Sequence, residues 1–320
     1  MIKNSMKAFM FPGQGCQKEG MGKDLYALSP RAKELFDRAD EALGWKITDV
    51  MFNGSEDQLM ETRNTQPSVF IYEVALALAQ DEIIPDVVAG HSLGEFAALV
   101  IAGAISLEDG LKLVLNRALI GQKAYETAPV KTGMGAVIGL QDEYVARRIK
   151  EIWDETGEAI YFANHNGPGQ VVITGTKKGV RIACKAFMAE GAKKAVPLAI
   201  GGSFHSPFMS EAKKELGAVI ESVEFKTPRI PVYQCVDAKP HTNPDELKAN
   251  LIEHITSSVL WTDMVNNMDA DGVTDYYEVG TDDTLQKIVR RMKPQAYVGS
   301  LLHIPAYEGK IKDYSVIKEG

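Results

Sequence analysis

A strand followed by a very sharp turn and a helix is predicted within residues 87–104, in the stretch VVAGHSLGEFAALVIAGA. The apolar run DVVAG is typical of a buried strand, and helical sequence begins at Glu95. Between them, GHSLG matches the pattern G-x-S-x-G, in which two glycines allow a tight turn and the central serine hydroxyl is exposed. Two interpretations of Ser92 follow: it acts as a nucleophile, or it caps the helix.

Strands and helices alternate on both sides of this turn. The strand KAFMF ends in the loop PGQG, and helices are predicted at 95–102, at 107–125 and at 244–255. Further strands near PVYQC and DYYEVG, and a last helix LQKIVRRM, continue the pattern. Such alternation favours an α/β fold with a mostly parallel sheet. The sequence therefore predicts a large α/β-hydrolase-like domain.

The middle of the chain has a different pattern, β-α-β-β-α-β, which is the order of a ferredoxin-like unit. The segments PVKTG and GGSFHSP, rich in residues that break regular structure, lie at its two ends. We therefore expect a ferredoxin-like subdomain at 132–200, inserted into a large catalytic domain formed by 1–131 and 201–320. A cleft between two such units is a common ligand site.

Composition and charge exclude several classes of protein. The 320 residues, 45% of them hydrophobic, suffice for a large core. The longest uncharged apolar run, 96–107, is too short to cross a bilayer, and the three cysteines form no CxxC pair. A net charge of −8 with scattered basic residues argues against a nucleic-acid partner. We expect a cytoplasmic protein without a membrane partner and with no disulfide framework.

A serine nucleophile needs a base, which is usually histidine. Of the six histidines, His91 adjoins Ser92, but side chains of neighbouring residues at a sharp turn point apart, so it is interpreted as a packing or orienting residue. His205 lies in GGSFHSP, where a loop can bring it over the turn. Taken alone, His205 is better interpreted as a surface or core histidine without chemistry.

Several motifs along the chain, taken in order, give a more specific indication. They are FPGQG, GHSLGE, Arg117 in the following helix, GMGAVIGL, NHNGPGQVVITG, FHSPFM, VLW and YEVG. Their order resembles that of the malonyl-CoA:acyl carrier protein transacylases, and the resemblance extends from about Lys7 to Arg291. The inserted ferredoxin-like unit is also what that family would have.

The resemblance implies a reaction and assigns residues to it. Ser92 would attack the thioester of malonyl-CoA, and His205 would take its proton. Backbone N–H groups of Gln14 and Leu93 would stabilise the oxyanion. The phosphopantetheine thiol of an acyl carrier protein would then remove the malonyl group. The resemblance implies no metal and no bound cofactor.

The resemblance also implies a substrate-binding set: Arg117, His254, Asn166 and Phe204. Arg117 would hold the free carboxylate of malonate, for which a planar bidentate donor is suited. Its alternative is a helix arginine in a surface ion pair. The phenyl ring of Phe204 would leave little room for a branched acyl group. Asn166, with Asn164, is predicted on a turn that faces the cleft and resembles family positions near the pantetheine arm. The alternative is that both are turn residues without a binding role.

Some residues depart from the family pattern near the expected site. His254 replaces the usual glutamine, although its main-chain carbonyl can still accept the second N–H of His205. Gln234 and Cys235 replace a serine–asparagine pair, and Cys16 replaces a serine. The loop at 281–283 reads Thr-Asp-Asp instead of Pro-Gly-Lys.

Three functions remain open from the sequence. The first is a malonyl transferase of fatty acid synthesis or of polyketide synthesis, the second an acyl-thioester hydrolase, and the third a docking protein without activity. Arg117 favours the first, because a general hydrolase has no need to hold a carboxylate. We expect a monomer that attracts an acidic carrier protein through local basic residues. The candidates are Arg290, Arg291, Lys193 and Lys194.

Overall fold

Two β-sheets with helices packed around them form the structure, a computed structural model that describes residues 5–199 and 202–315. The larger sheet has six strands in the order β10-β9-β1-β2-β7-β8. The smaller has four, in the order β4-β5-β3-β6. The strands are β1 Met6–Phe11, β2 Val87–Gly90, β3 Thr132–Ile138, β4 Ile160–Gly167, β5 Gln170–Thr176, β6 Lys194–Pro197, β7 Val232–Tyr233, β8 Pro240–His241, β9 Val273–Glu278 and β10 Tyr297–Ser300.

Helices separate most of these strands along the chain. They are α1 Lys23–Leu28, α2 Pro30–Leu43, α3 Ile47–Asn53, α4 Glu56–Met60, α5 Thr62–Leu78, α6 Gly94–Ala102, α7 Leu107–Thr127, α8 Asp142–Thr156, α9 Lys177–Ala189, α10 Ser210–Glu221, α11 Pro244–Glu253, α12 Trp261–Ala270 and α13 Thr284–Met292. Side chains cap several of them; Ser106, for example, accepts a hydrogen bond from the Asp109 N–H at the start of α7.

The larger sheet is parallel except at one edge. Strand β1 pairs in parallel with β2 and β9, and only β8 runs antiparallel to its neighbour β7. The ends of β1 and β2 therefore lie side by side, and the loops that follow them start from the same edge of the sheet. In parallel α/β sheets this carboxyl edge is where ligands bind. The predicted α/β class with a mostly parallel sheet is confirmed.

The smaller sheet is antiparallel, and its strands and helices follow one another as β3-α8-β4-β5-α9-β6. This is the β-α-β-β-α-β order predicted from the sequence, with the strand arrangement of a ferredoxin-like unit. Its own core is a separate cluster of apolar residues between the sheet and the two helices. The predicted boundary at 200 and 201 falls outside the described residues, so the domain limits stay a prediction.

The core of the larger unit lies on both faces of its sheet. Helix α5 is buried along nearly its whole length, and its apolar side chains pack on the same cluster as α6 and α7. A helix buried on all sides lacks the one-sided apolar stripe of a surface helix.

In the described part of the chain, no helix combines the length and the apolar character needed to cross a membrane.

A buried carboxyl group in this core predicts a pH-dependent stability. Glu278, at the end of β9, accepts hydrogen bonds from the N–H groups of Leu285 and Gln286 at the start of α13. Burial, the largest cause, raises the pKa of Glu278 to about 8. The folded state then holds a proton that the unfolded chain releases near pH 4.5, so stability falls as the pH rises between these two values.

We therefore expect Glu278→Gln to reduce the pH dependence of unfolding. A group of this kind changes the free energy of unfolding by about 1 kcal/mol per pH unit inside its window. The wild-type protein should lose stability between pH 6.0 and 7.5, and the variant should lose about 1.5 kcal/mol less. Urea unfolding at the two pH values measures this. Equal losses in both proteins would show that Glu278 is already ionised at pH 6.

Candidate active site

The turn between β2 and α6 is as sharp as the sequence predicts. Ser92 has a left-handed backbone, with φ 55°, a conformation that side-chain-bearing residues rarely adopt. A Cβ atom on Gly90 would lie 2.1 Å from the Gly94 carbonyl carbon, and one on Gly94 would lie 2.1 Å from the Phe11 carbonyl oxygen. Only glycine fits at these two positions, and the strained serine between them presents its hydroxyl outward.

The Ser92 side chain does not cap the helix. Helix α6 begins at Gly94 with Leu93 as its N-cap residue and without a side-chain cap hydrogen bond. The Ser92 hydroxyl instead lies 2.8 Å from Nε2 of His205 and accepts a hydrogen bond from the Arg117 guanidinium at 3.1 Å. The helix-cap interpretation is wrong, because the hydroxyl makes its hydrogen bonds with His205 and Arg117 and not with an N–H group of the helix.

His205 is held in one tautomer by main-chain carbonyls. Its Nδ1 lies 3.2 Å from the carbonyl oxygen of His254 and 3.2 Å from that of Ser257. Carbonyl oxygens only accept hydrogen bonds, so Nδ1 carries the proton. Nε2 is then the bare nitrogen that faces the Ser92 hydroxyl, as a general base requires.

Electrostatics keep this histidine neutral. His205 is 4% exposed, and burial, followed by the nearby charge of Arg117, lowers its pKa to about 3. At neutral pH its Nε2 is therefore free to accept a proton.

The backbone of His205 is also left-handed, with φ 61°, so both Ser92 and His205 have strained backbone conformations. Such strain is common where a site is built for chemistry.

Arg117 lies inside the protein and not in a surface ion pair. The side chain, on α7, is 7% exposed and stacks over the Phe204 ring at 4.8 Å. One guanidinium nitrogen donates to the Gln66 amide oxygen at 2.8 Å, while another donates to Ser92. Burial lowers the pKa of Arg117 to about 10, so it stays charged at neutral pH. Among the described residues no carboxylate pairs with it.

The Ser92 hydroxyl opens onto a cavity of about 300 Å³ between the two units. The larger unit supplies loop residues at 12–16, the turn residues and Arg117. The smaller sheet supplies Met134, Asn164, Asn166 and Val172. The wall combines apolar side chains with a few convergent polar groups, which is typical of small-molecule sites.

The two backbone N–H groups predicted to stabilise an oxyanion come from two different loops, one after β1 and one after β2. Gln14 is on the cavity wall, in the loop after β1. Leu93 follows Ser92, and its side chain points into the core, where it is 1% exposed. Within the described residues neither N–H donates to a protein acceptor. Both are therefore free donors close to the serine.

Asn164 and Asn166 line the cavity from a strand and not from a turn. Strand β4 runs through both residues, with irregular register at Phe162/Asn164 and at His165/Gly167. Bulges of this kind redirect side chains, which is how a polar strand end comes to face the cavity. The amide oxygen of Asn166 lies 2.7 Å from Nε2 of His91, so His91 is a packing and orienting residue, as predicted.

The structure separates the other two members of the predicted substrate-binding set. Phe204 lies on the cavity wall beside Ser92. His254 does not: it follows α11 and is buried behind His205, with 3% of its surface exposed. Its ring stacks on the His205 ring with centroids 5.0 Å apart. The expectation that His254 contacts substrate is therefore wrong for its side chain.

The residues that depart from the family pattern make defined contacts near the site. The Thr281 hydroxyl donates to the carbonyl oxygen of Cys16, below the loop that carries Gln14. Asp282 lines the cavity, and Asp283 pairs with Lys287 at 2.9 Å. On the other side, the Cys235 N–H and the Gln234 amide both donate to Glu95.

Two features of the site were not predicted from the sequence. Gln66 gives no local sequence signal of its role: it lies in the mixed segment TQPSVFIY, and only the structure shows that its amide oxygen accepts a hydrogen bond from Arg117. Glu95 is fully buried directly after the turn, where the sequence indicated only a helix start.

Comparison with known proteins identifies the family of this chain. The model of the acyl transferase domain family matches residues 8–304. The malonyl CoA-acyl carrier protein transacylase of Bacillus subtilis is 39% identical, over 89% of this chain and 90% of its own length.

Solved structures share the whole fold. The acyl-carrier-protein S-malonyltransferase of Burkholderia pseudomallei is 34% identical, with a TM-score of 0.89 over 95% of this chain and 98% of its own. A malonyl-transacylase in complex with a type II polyketide synthase acyl-carrier protein is 33% identical, with a TM-score of 0.87 over 95% and 99%. The chain therefore belongs to the acyl transferase domain family and, within it, to the malonyl-CoA:acyl carrier protein transacylases.

Proposed function

We propose that this protein transfers the malonyl group of malonyl-CoA to the phosphopantetheine thiol of an acyl carrier protein, through an ester on Ser92. The observation that carries the proposal is the buried charge of Arg117. Its guanidinium donates to the nucleophilic hydroxyl at 3.1 Å and has no carboxylate partner among the described residues. A substrate with its own carboxylate would supply that partner, and malonyl-CoA does so.

The first half of the reaction uses Ser92, His205 and two backbone donors. Nε2 of His205 takes the hydroxyl proton as the Ser92 oxygen attacks the thioester carbonyl carbon. The N–H groups of Gln14 and Leu93 stabilise the negative oxygen of the tetrahedral intermediate, each donor contributing about 3 kcal/mol. The C–S bond then breaks, and His205 returns its proton to the departing coenzyme A thiol.

The second half reverses these steps with a different thiol. The carrier thiol gives its proton to His205 and attacks the malonyl ester on Ser92. When the ester bond breaks, the proton passes to the serine oxygen and the free enzyme is restored. Every group needed is a side chain or a main-chain N–H of this protein, so we propose that it works without a metal or bound cofactor.

Three residues around the cavity are proposed to bind parts of the substrate. We assign Arg117 to the malonyl carboxylate, since a guanidinium binds carboxylates through two parallel hydrogen bonds. Phe204 borders the same space and restricts branched acyl groups. Asn166 faces the path along which a pantetheine arm would enter. The solved relative that binds its acyl-carrier protein supports a carrier protein as the acceptor.

The place of the reaction in metabolism is a further part of the proposal. We propose that the malonyl carrier protein it forms supplies extender units for fatty acid synthesis. Supply of a polyketide synthase is the alternative. The cytoplasmic location and the monomeric state predicted from the sequence, and the basic residues suggested for carrier docking, stay predictions.

Intact mass spectrometry tests the assignment directly. The protein is mixed with malonyl-CoA or acetyl-CoA, with and without holo acyl carrier protein. We expect a malonyl adduct on the Ser92 peptide that disappears as malonyl carrier protein forms. Adducts that only hydrolyse would indicate a hydrolase, and no adduct on native protein would contradict the proposed function.

A further inference from the structure

A second buried polar cluster lies directly behind the Ser92–His205 pair, and the function proposed above gives it no role. It consists of Glu95 on α6, His254 after α11, and Cys235 after β7, and we call it the rear cluster. Glu95 and Cys235 have no exposed surface, and His254 is 3% exposed. Buried ionisable groups are costly, so a cluster of them next to a reacting histidine calls for a physical explanation.

His254 joins the rear cluster to the active-site pair. Its imidazole stacks on the His205 imidazole, with centroids 5.0 Å apart and an interplanar angle of 26°. At the edge of the same ring, Nδ1 of His254 lies 3.7 Å from Oε2 of Glu95. Nε2 of His254 is buried without a hydrogen-bond partner in the described part of the chain. One imidazole ring therefore contacts the base and also lies near the Glu95 carboxyl group.

Glu95 is rigidly held. Its Oε2 accepts the Cys235 N–H at 2.9 Å, and its Oε1 accepts the Gln234 amide at 3.0 Å. Burial is the largest cause that raises the pKa of Glu95, to about 7, and these hydrogen bonds oppose it. Near neutral pH this carboxyl group therefore changes its charge, while its position stays fixed.

The charges around His205 make its protonated form sensitive to a nearby carboxylate. His205 becomes a cation when it takes the Ser92 proton, and the nearby Arg117 is already a cation. The hydrogen bonds of His205 within the described residues go to Ser92 and to two carbonyl oxygens, not to a carboxylate. An imidazolium in such a site lacks the negative partner that a serine–histidine–aspartate triad provides.

Other ionisable groups face the rear cluster. From the turn after β2 comes His91, which burial keeps neutral by lowering its pKa. From α7 comes the Arg117 cation. The Cys235 thiol donates to the Gly90 carbonyl at 3.0 Å, and burial raises its pKa, so it is uncharged. Asp237 lies further along the same segment and acts on Glu95 only through its charge. Glu95 is the anionic group of this cluster closest to the His254 ring.

We propose that Glu95 and His254 are positioning residues for His205: ionised Glu95 orients the His254 ring with Nδ1–H toward the carboxylate and stabilises the imidazolium that His205 forms during malonyl transfer. This inference rests on the proposed function, since it concerns the same base. His254 acts here through its ring, in addition to the main-chain carbonyl that accepts the His205 N–H.

The proposal predicts a pH dependence that His205 alone would not produce. The pKa of His205, about 3, predicts no loss of its base function between pH 6 and 8. Glu95, however, gains a proton as the pH falls through about 7 and then no longer stabilises the His205 cation. We expect kcat/KM for malonyl transfer to fall about tenfold in a step near pH 7, the change that one pKa unit of imidazolium stabilisation represents.

Two variants separate this role from a structural one. Glu95→Gln should remove the step and leave a rate close to that of wild type at low pH. His254→Gln keeps the main-chain carbonyl and loses the stacked ring, so the step should shrink to about threefold. Glu73→Gln removes another fully buried carboxyl group, whose pKa is also raised by burial, and serves as the matched control that retains the step.

A second measurement needs only the wild-type protein, in case Glu95→Gln does not fold. With ¹⁵N-labelled histidine, NMR should show the His254 ring protonated at Nδ1 above pH 7, with a shift that follows the same midpoint as the rate. An Nε2–H tautomer at high pH, or a wild-type-like step in folded Glu95→Gln, overturns the proposal. Absence of malonyl transfer by the wild type would instead contradict the proposed function, so the two failures are distinguishable.

Discussion

Replacing Ser92 by alanine is expected to lower kcat for malonyl transfer by about 10⁶-fold, the size of loss found when a serine nucleophile is removed. The reason is that, among the residues the structure describes, Ser92 alone places a hydroxyl within hydrogen-bond distance of Nε2 of His205, at 2.8 Å. The oxyanion donors and the guanidinium would remain, so substrate should still bind. The malonyl adduct seen by intact mass should disappear completely.

The control for Ser92→Ala is Ser106→Ala. Ser106 is the N-cap residue of α7 and accepts the Asp109 N–H at 3.0 Å, away from the cavity. Its loss should cost about 1 kcal/mol of stability and leave kcat unchanged. Thermal unfolding and rate measurements on both variants separate the two roles of serine. A Ser92→Ala protein that still forms and transfers a malonyl adduct would contradict the assignment.

Local sequence patterns predicted most of the fold because strands and helices depend on residues close in the chain. The order of six elements at 132–197 follows from alternation and from helical periodicity alone. The turn at Ser92 was predictable for the same reason, since two glycines within five residues determine it. The partner of Ser92 was not, because its contact with His205 joins residues 113 positions apart. The residues alone left His205 as one candidate base, and the resemblance assigned the role to it.

Contacts between distant segments account for what was missed. Gln66 meets Arg117 across 51 positions, and Glu95 meets the Cys235 N–H across 140. In each pair the two residues lie far apart in the sequence, so the contact can be identified only in the assembled structure. Asn166 was assigned to a turn because asparagine and glycine favour turns, but pairing with β5 keeps the segment extended.

The second large effect is expected at Arg117, and it concerns substrate choice. A bidentate ion pair with the malonyl carboxylate in a buried site contributes about 3 kcal/mol, or about 100-fold in kcat/KM. Arg117→Ala should therefore lose about 100-fold with malonyl-CoA and much less with acetyl-CoA, which lacks the carboxylate. The ratio of the two rates isolates this effect from general damage, because both substrates use Ser92 and His205 in the same way.

Arg117→Lys distinguishes charge from geometry. Lysine keeps the positive charge but has a single ammonium group. It cannot donate to Gln66 and also form two parallel hydrogen bonds with a carboxylate, as the planar guanidinium can. We expect an intermediate malonyl preference, about tenfold below wild type.

Gln66→Leu tests the orientation of the guanidinium. It leaves Arg117 in place but removes its 2.8 Å hydrogen-bond partner. The malonyl preference should fall while acetyl transfer stays unchanged. Equal losses for malonyl and acetyl transfer in all three variants would show that Arg117 serves the structure of the site and not the recognition of the carboxylate.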